Sequence, residues 1–203
     1  MPERAQQLRD AAVRLFVEHG YRDIDVDDIV AACDVSRGTF YNSYRSKRDL
    51  LSVILARVFD DLAVSTFSDS DWSVVTERDS FVSEFRTQLR RGLQHIADNA
   101  ELLSFAILTA PGIDADALTS LVAGYRRIAA QVTEVLEIAT QRGWIRSDVP
   151  IDLVWAGQLV TSTVATSATP LLLSTDEAFD VDEVADFTTN FLLGGTRAVL
   201  SHP

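Results

Sequence analysis

Cysteine is nearly absent from this 203-residue sequence, histidine is scarce, and cations are outnumbered by acids. The single cysteine, Cys33, can form no intramolecular disulfide, and His19, His95 and His202 are too dispersed to make a metal cluster. No metal and no cofactor is expected. Met1-Pro2-Glu3-Arg4 leads into a charged amphipathic pattern rather than the apolar core of a secretory signal, so a cytoplasmic location is the expectation. His95 and Asp98 could exchange a proton, yet no nucleophile pattern, glycine-rich phosphate loop or metal set accompanies them, and no catalytic residue is expected.

One uncharged run is long enough to consider as a membrane span, the 23 residues Leu153 to Thr175. Thr161, Ser162, Thr163, Thr166, Ser167 and Thr169, with Gln158 and Pro170, load it too heavily with polar groups for hydrocarbon. It reads as a buried or interfacial helix.

The deficit of positive charge, a net of −12, argues against a polyanionic partner unless the charge is segregated. Segregation is present. Residues 1–50 hold 8 Lys+Arg against 9 Asp+Glu, leaving 10 against 21 for the remainder. Within Ser36 to Arg48 stand Arg37, Arg45, Lys47 and Arg48 and no acid, so this stretch can face phosphate.

What the sequence has in quantity is helical periodicity. With 47% hydrophobic and 24% charged residues it is an ordinary globular composition. Leu8, Ala12, Leu15 and Phe16 share a helix face that Gly20 terminates. Asp25 can cap a second helix carrying Val26, Ile29, Val30 and Cys33, and Ser36 a third in which Phe40 and Tyr44 share a face. Ser46 can cap a fourth, with Leu50, Leu51, Ile54, Leu55, Val58 and Leu62. After a polar break at 68–71 come Phe81 to Ile96, Leu102 to Thr109 ended by Pro111-Gly112, and Leu118 to Ala139 ended by Gly143. Two helices over about 152–173 and 182–200 complete the pattern. No strand, repeat or low-complexity tract is evident, and an all-α fold of about nine helices is expected.

Three short helices in the first 45 residues, the second and third joined by a tight turn at Cys33-Asp34-Val35, match a helix-turn-helix. Val35, Phe40 and Tyr44 would bury the third helix against the first two, turning Arg37, Gly38, Thr39, Tyr41, Asn42 and Ser43 outward. Arg37 can donate two hydrogen bonds to guanine and Asn42 can pair with adenine, each pair worth ~1–3 kcal/mol of discrimination. Thr39 and Tyr41 carry hydroxyls for phosphate, Gly38 admits close backbone approach, and Ser36 at the helix start is counted with the DNA-binding residues. Lys47, near the start of the fourth helix, is expected to anchor a phosphate without specifying sequence.

These residues resemble the TetR family of bacterial regulators. Leu15-Phe16-Val17-Glu18-His19-Gly20-Tyr21 resembles that family's first-helix ending, Val26-Asp27-Asp28-Ile29-Val30 its second helix, and Val35-Ser36-Arg37-Gly38-Thr39-Phe40-Tyr41 with Ser46-Lys47 its recognition element. The resemblance covers about residues 5–55. Three positions depart from it. Asp34 stands where glycine is usual, so the turn must hold a positive φ at aspartate; Ser43 replaces an aromatic or histidine; Arg48 replaces a frequent acid and adds a cation at the DNA edge.

The resemblance implies a DNA-binding domain over 1–48 and a helical effector-binding and dimerisation domain over 49–203. It further implies a homodimer, assembled through its last two helices, that binds a palindromic double-stranded operator and is released by a small-molecule effector, usually as a repressor. Phe105, Tyr125 and Trp155 are candidates for lining the effector pocket, although aromatic residues at helical spacing also serve as plain core. Gly157, Thr161, Ala165, Ala168, Phe187, Phe191 and Gly194 are candidates for the dimer seam. Cys33 on an apolar helix face reads as a packing residue, and Arg86, Arg90, Arg126 and Arg127 as solvated cations.

Overall fold

The computed structural model describes residues 2–72, 74–145, 152–173 and 179–200, the side chains of residues 2 and 194–200 excepted. Every regular element among them is helical. Two compact units emerge, one of residues 1–59 with 101–123, the other of residues 60–100 with 124–203.

The first unit begins with α1 (Pro2–His19), which stops where Gly20 turns to φ +83° and its N–H reaches Phe16 O at 3.0 Å. Helix α2 (Val26–Ala32) opens on a reciprocal cap: Asp25 Oδ1 accepts from Asp27 N at 2.7 Å and Asp28 N at 3.0 Å, while Asp28 accepts from Asp25 N at 2.8 Å. Those amide bonds, the one from Asp28 foremost, hold the Asp25 carboxyl below the usual carboxylate range. Asp34, at φ +53°, makes the turn into α3 (Arg37–Ser43), whose cap is Ser36 Oγ accepting from Thr39 N at 3.2 Å. Helix α4 (Lys47–Phe67) repeats the device, Ser46 Oγ accepting from Asp49 N at 3.0 Å and Asp49 from Arg45 N at 2.9 Å.

Leu8, Ala12, Phe16, Ile29, Phe40, Leu50, Leu51 and Leu55 form the fully buried interior of this unit. Phe105 joins it, stacked on Phe16 with centroids 6.2 Å apart. The unit therefore takes in more chain than residues 1–48. Phe105 opens a π-helical turn (Phe105–Thr109) that follows α6 (Ala100–Ser104), and a 3-10 turn (Ala110–Gly112) leads on to α7 (Ala115–Gln141).

The second unit is built on α5 (Arg78–Asp98), the later part of α7, α8 (Leu153–Ser167), the single turn α9 (Thr169–Leu172) and α10 (Val181–Leu200). Val75, Phe81, Phe85, Val135 and Ala139 make its core, with Trp72 and Trp144 packed on Phe81 at 5.3 and 5.4 Å. Helices α5 and α10 run antiparallel, cross-linked by Arg86–Asp186 at 2.9 Å and Arg90–Asp182 at 3.1 Å. Among the described residues no helix is long and apolar enough to cross a membrane. The uncharged run at 153–173 is broken between α8 and α9, and its hydroxyls bond back to their own helix, as Thr161 to Gly157 O at 2.9 Å and Thr166 to Ser162 O at 2.9 Å.

Candidate nucleic-acid interface

The third helix packs by its inner face. Phe40 is wholly buried, and the phenol of Tyr44 donates to Ala5 O at 2.8 Å, tying the end of α3 to the start of α1. Val35 is half-buried beside them. Ser36, Arg37, Gly38, Tyr41, Asn42 and Ser43 are exposed, with Tyr41 at 53% although it is aromatic. Thr39 is half-buried, its hydroxyl 3.1 Å from that of Ser36, and Ser43 Oγ donates to Thr39 O at 3.4 Å. A Cβ on Gly38 would meet nothing nearer than Ser36 Oγ at 3.6 Å, so packing inside the protein does not demand glycine there. Close approach by something outside it would.

Arg37, at the first position of α3, is anchored by an ion pair from Nε to Asp27 Oδ1 on α2 at 2.8 Å. Its Nη1 and Nη2 have no partner among the described residues, which leaves the two-pronged edge free to meet a guanine. Asp27 escaped the sequence reading because its only visible role was to begin a helix.

Two cations of the basic stretch are directed elsewhere, and both expectations are corrected. The half-buried Lys47 turns its ammonium back onto the protein. It donates to Tyr21 O at 2.8 Å and to Ile24 O, and lies over the Tyr21 ring 4.2 Å from the centroid. The connection between α1 and α2 has carbonyls that no helix satisfies, and a long flexible donor can reach them. Burial lowers the Lys47 pKa, with the charges of Asp25, Asp28 and Asp23 opposing that shift. Arg48 is no added cation at the DNA edge either. Its guanidinium pairs with Asp114 at 2.5 Å from Nε and 2.7 Å from Nη2, with Asp116 at 3.9 Å. The Asp114 carboxyl is held low first by the N–H of Ala117, then by Arg48.

The remaining candidates fall as follows. Phe105 is core of the first unit, only 5% exposed; Tyr125 is half-buried on α7 in the second, where burial raises its phenol pKa; Trp155 is 65% exposed on α8. Gly157, Thr161 and Ala168 are corrected as seam residues, since they are buried inside the lone protomer. A Cβ on Gly157 would lie 2.3 Å from Thr133 Oγ1 and 2.7 Å from Ala129 O, so α8 needs glycine there to close on α7. Ala165 is half-buried, and Gly194 falls among residues whose side chains and surroundings lie outside the description. Phe187 and Phe191 are exposed and stacked in parallel at 6.4 Å. Cys33, half-buried, donates to Gln7 O at 3.3 Å and keeps its proton, burial raising its pKa. Arg86 and Arg90 are paired with α10, and Arg127 with Asp60 at 3.2 Å.

Three helices, a tight αL turn and an exposed third helix without acids define the class: an all-α protein with a helix-turn-helix at its N-terminal end. Residues 8–54 match the profile of the bacterial regulatory proteins of the tetR family. That match takes in the helix-turn-helix and the start of α4, 47 of the 203 residues. It is 39% identical over 57 residues to the HTH-type transcriptional repressor DhaR of Mycobacterium sp. strain GP1, covering 28% of this chain and 29% of that protein. The chain spans about a third of the length of the curated relatives it matches first, 35%, 29% and 38%. Among solved structures it is similar to the fatty acid degradation regulator FadR from Bacillus halodurans, with a TM-score of 0.79, 20% identity and coverage of 96% of each chain. FadR from Bacillus subtilis in complex with stearoyl-CoA gives a TM-score of 0.76 at 18% identity, covering 94% of this chain and 98% of that one. These likenesses extend the fold match along both units.

Proposed function

We propose that the protein is a transcriptional regulator without catalytic activity, its DNA-binding domain ending near residue 48 and the rest serving effector binding and dimerisation. It binds a palindromic operator as a homodimer, acts as a repressor, and is released by a small-molecule effector. The observation that carries the reading is Arg37 on the exposed start of α3, held by Nε and open at Nη1 and Nη2, with Asn42 on the same short helix. Arg37 and Asn42 read base edges, while Ser36, Thr39, Tyr41 and Ser43 meet the backbone and Gly38 lets the main chain come close. Lys47 serves by fixing the connection between α1 and α2.

Dimerisation is supported by an unpartnered apolar surface of the second unit. Trp155 and Leu159 at 65% and 66% exposure lie one turn apart on α8, and Phe187 and Phe191 one turn apart on α10. Such a surface on two helices suits an isologous contact. Effector release follows if a ligand prefers a conformation in which the two recognition helices no longer match the operator spacing. That FadR from Bacillus subtilis, of similar fold, is in complex with stearoyl-CoA supports a ligand-responsive reading.

Selection of bound fragments from random double-stranded DNA by the purified protein should return a palindrome. Arg37→Ala should then cost ~1–3 kcal/mol and relax preference at one base pair of each half-site. An equal loss on all sequences would remove Arg37 as a reader of bases.

A further inference from the structure

Asp25, Asp27 and Asp28 stand together at the start of α2, and only two of these carboxylates build it. Asp25 accepts from the N–H groups of Asp27 and Asp28, and Asp28 accepts in return from Asp25 N. The charges of Asp25, Asp28 and Asp23 also act on the Lys47 ammonium. Asp27 is engaged differently. Its carboxylate meets Arg37 Nε at 2.8 Å, and the two side chains keep 57% and 61% of their surface open to water. An ion pair so exposed contributes little to the stability of a fold.

What the pair does is orient a cation. A free arginine side chain samples many rotamers and gives up that freedom when it binds a base, so holding it beforehand lowers the cost of binding. Occupying Nε leaves Nη1 and Nη2, whose fork matches O6 and N7 of guanine, and closes the alternative that pairs Nε with Nη2. Arg37 begins α3 between the exposed Ser36 and Gly38, so a duplex that meets its fork meets the Asp27 carboxylate as well. That carboxylate repels phosphate and neutralises a cation that would otherwise bind any DNA backbone. Both effects favour a duplex with guanine in reach of the fork over every other.

We propose that Asp27 is the positioning residue that makes Arg37 selective, aiming its guanidinium at a base edge and withholding it from the phosphates. The proposal rests on the reading of Arg37 as a reader of bases. It adds a residue of α2, outside the recognition helix, to those that set operator preference.

Competition binding of the full chain to three duplexes tests it: the selected operator, the operator changed at the base pair where Arg37→Ala relaxes preference, and an unrelated sequence. Asp27→Ala should reduce the preference for the selected base pair about fivefold or more. Its binding to the unrelated duplex should strengthen, with a salt slope steeper by about 0.9 as the freed guanidinium takes up a phosphate. Asp27→Glu keeps the charge and should hold the parent's slope. In an Arg37→Ala background, Asp27→Ala should leave preference at that base pair unchanged. A loss of folded protein weakens all three duplexes by one factor and leaves their ratios alone. A purely structural Asp27 therefore gives unchanged preference, and that result overturns the proposal. So does an unchanged salt slope in Asp27→Ala, a slope that steepens equally in Asp27→Glu, or an equal effect of Asp27→Ala with and without Arg37. A uniform loss on Arg37→Ala, or a parent that prefers no duplex, defeats the base-reading assignment itself, and the proposal falls with it.

Discussion

Replacing Lys47 by methionine separates two accounts of a single ammonium. Methionine keeps most of the apolar stem and removes the charge and its donors. The ammonium satisfies Tyr21 O and Ile24 O and lies over the Tyr21 ring. Hydrogen bonds to a charged donor contribute about 1.5–3 kcal/mol each and a cation over an exposed ring about 0.5–1 kcal/mol. The unfavourable desolvation that lowers the Lys47 pKa offsets part of that sum. A net loss of about 2–3 kcal/mol for the first unit is expected. Amide exchange in α1 and α2, followed by mass spectrometry in low urea, reads that loss locally. Operator affinity should fall through the diminished folded population, with the dependence of log K on log salt nearly unchanged. A variant as protected as the parent that binds every DNA more weakly, its salt slope reduced by about 0.9, would put the ammonium on a phosphate and refute the clamp.

Three further outcomes follow from the geometry. Gly157→Ala sets a methyl carbon 2.3 Å from Thr133 Oγ1 and 2.7 Å from a backbone carbonyl that cannot yield, and should destabilise the second unit by ~1–3 kcal/mol in urea unfolding. Phe187→Glu places a charge in the stacked pair on α10, and should shift the protein from dimer to monomer in sedimentation without lowering the helicity of either unit. Burial lowers the His95 pKa, against the opposing charges of Asp61 and Asp98, while its Nδ1 lies 2.8 Å from Ser65 Oγ. The folded state thus binds a proton less readily than the unfolded one, so stability is full above the ordinary histidine pKa and declines as pH falls through it towards the lower folded value; His95→Gln should flatten that decline in melting curves.

Local signals in the sequence carried the helix-turn-helix almost intact. Asp25, Ser36 and Ser46 cap helices because each acts on amides two or three residues away, and Gly20 and Gly143 stop helices through their own φ of +83° and +72°. Phe40 and Tyr44 turned inward as their helical spacing required. Failures of the reading came where a partner lies far along the chain. Arg48 meets Asp114, 66 residues on, and Lys47 reaches back 26 residues to Tyr21, so both cations looked free. The small residues of α8 were assigned to a seam between subunits because sequence cannot tell which face of an uncharged helix a protomer uses for itself. Gly157 faces α7, and Trp155 and Leu159 are left outside.

The aromatic residues divide unevenly between the two units. All three tryptophans, Trp72, Trp144 and Trp155, lie in the second unit, whereas Tyr21, Tyr41 and Tyr44 lie in the first and only Tyr125 in the other. Excitation at the red edge of the absorption band selects indole alone, so its emission is a spectroscopic channel for the larger unit. Trp72 and Trp144 flank Phe81, and Trp155 stands in solvent. Quenching by a soluble iodide would silence Trp155 first and leave the two half-buried indoles to report on their surroundings. Tyrosine absorbance is weighted towards the helix-turn-helix, with Tyr41 on the face offered to DNA. The unmodified protein thus carries separate optical labels for its two halves, and one titration can follow both without an added dye.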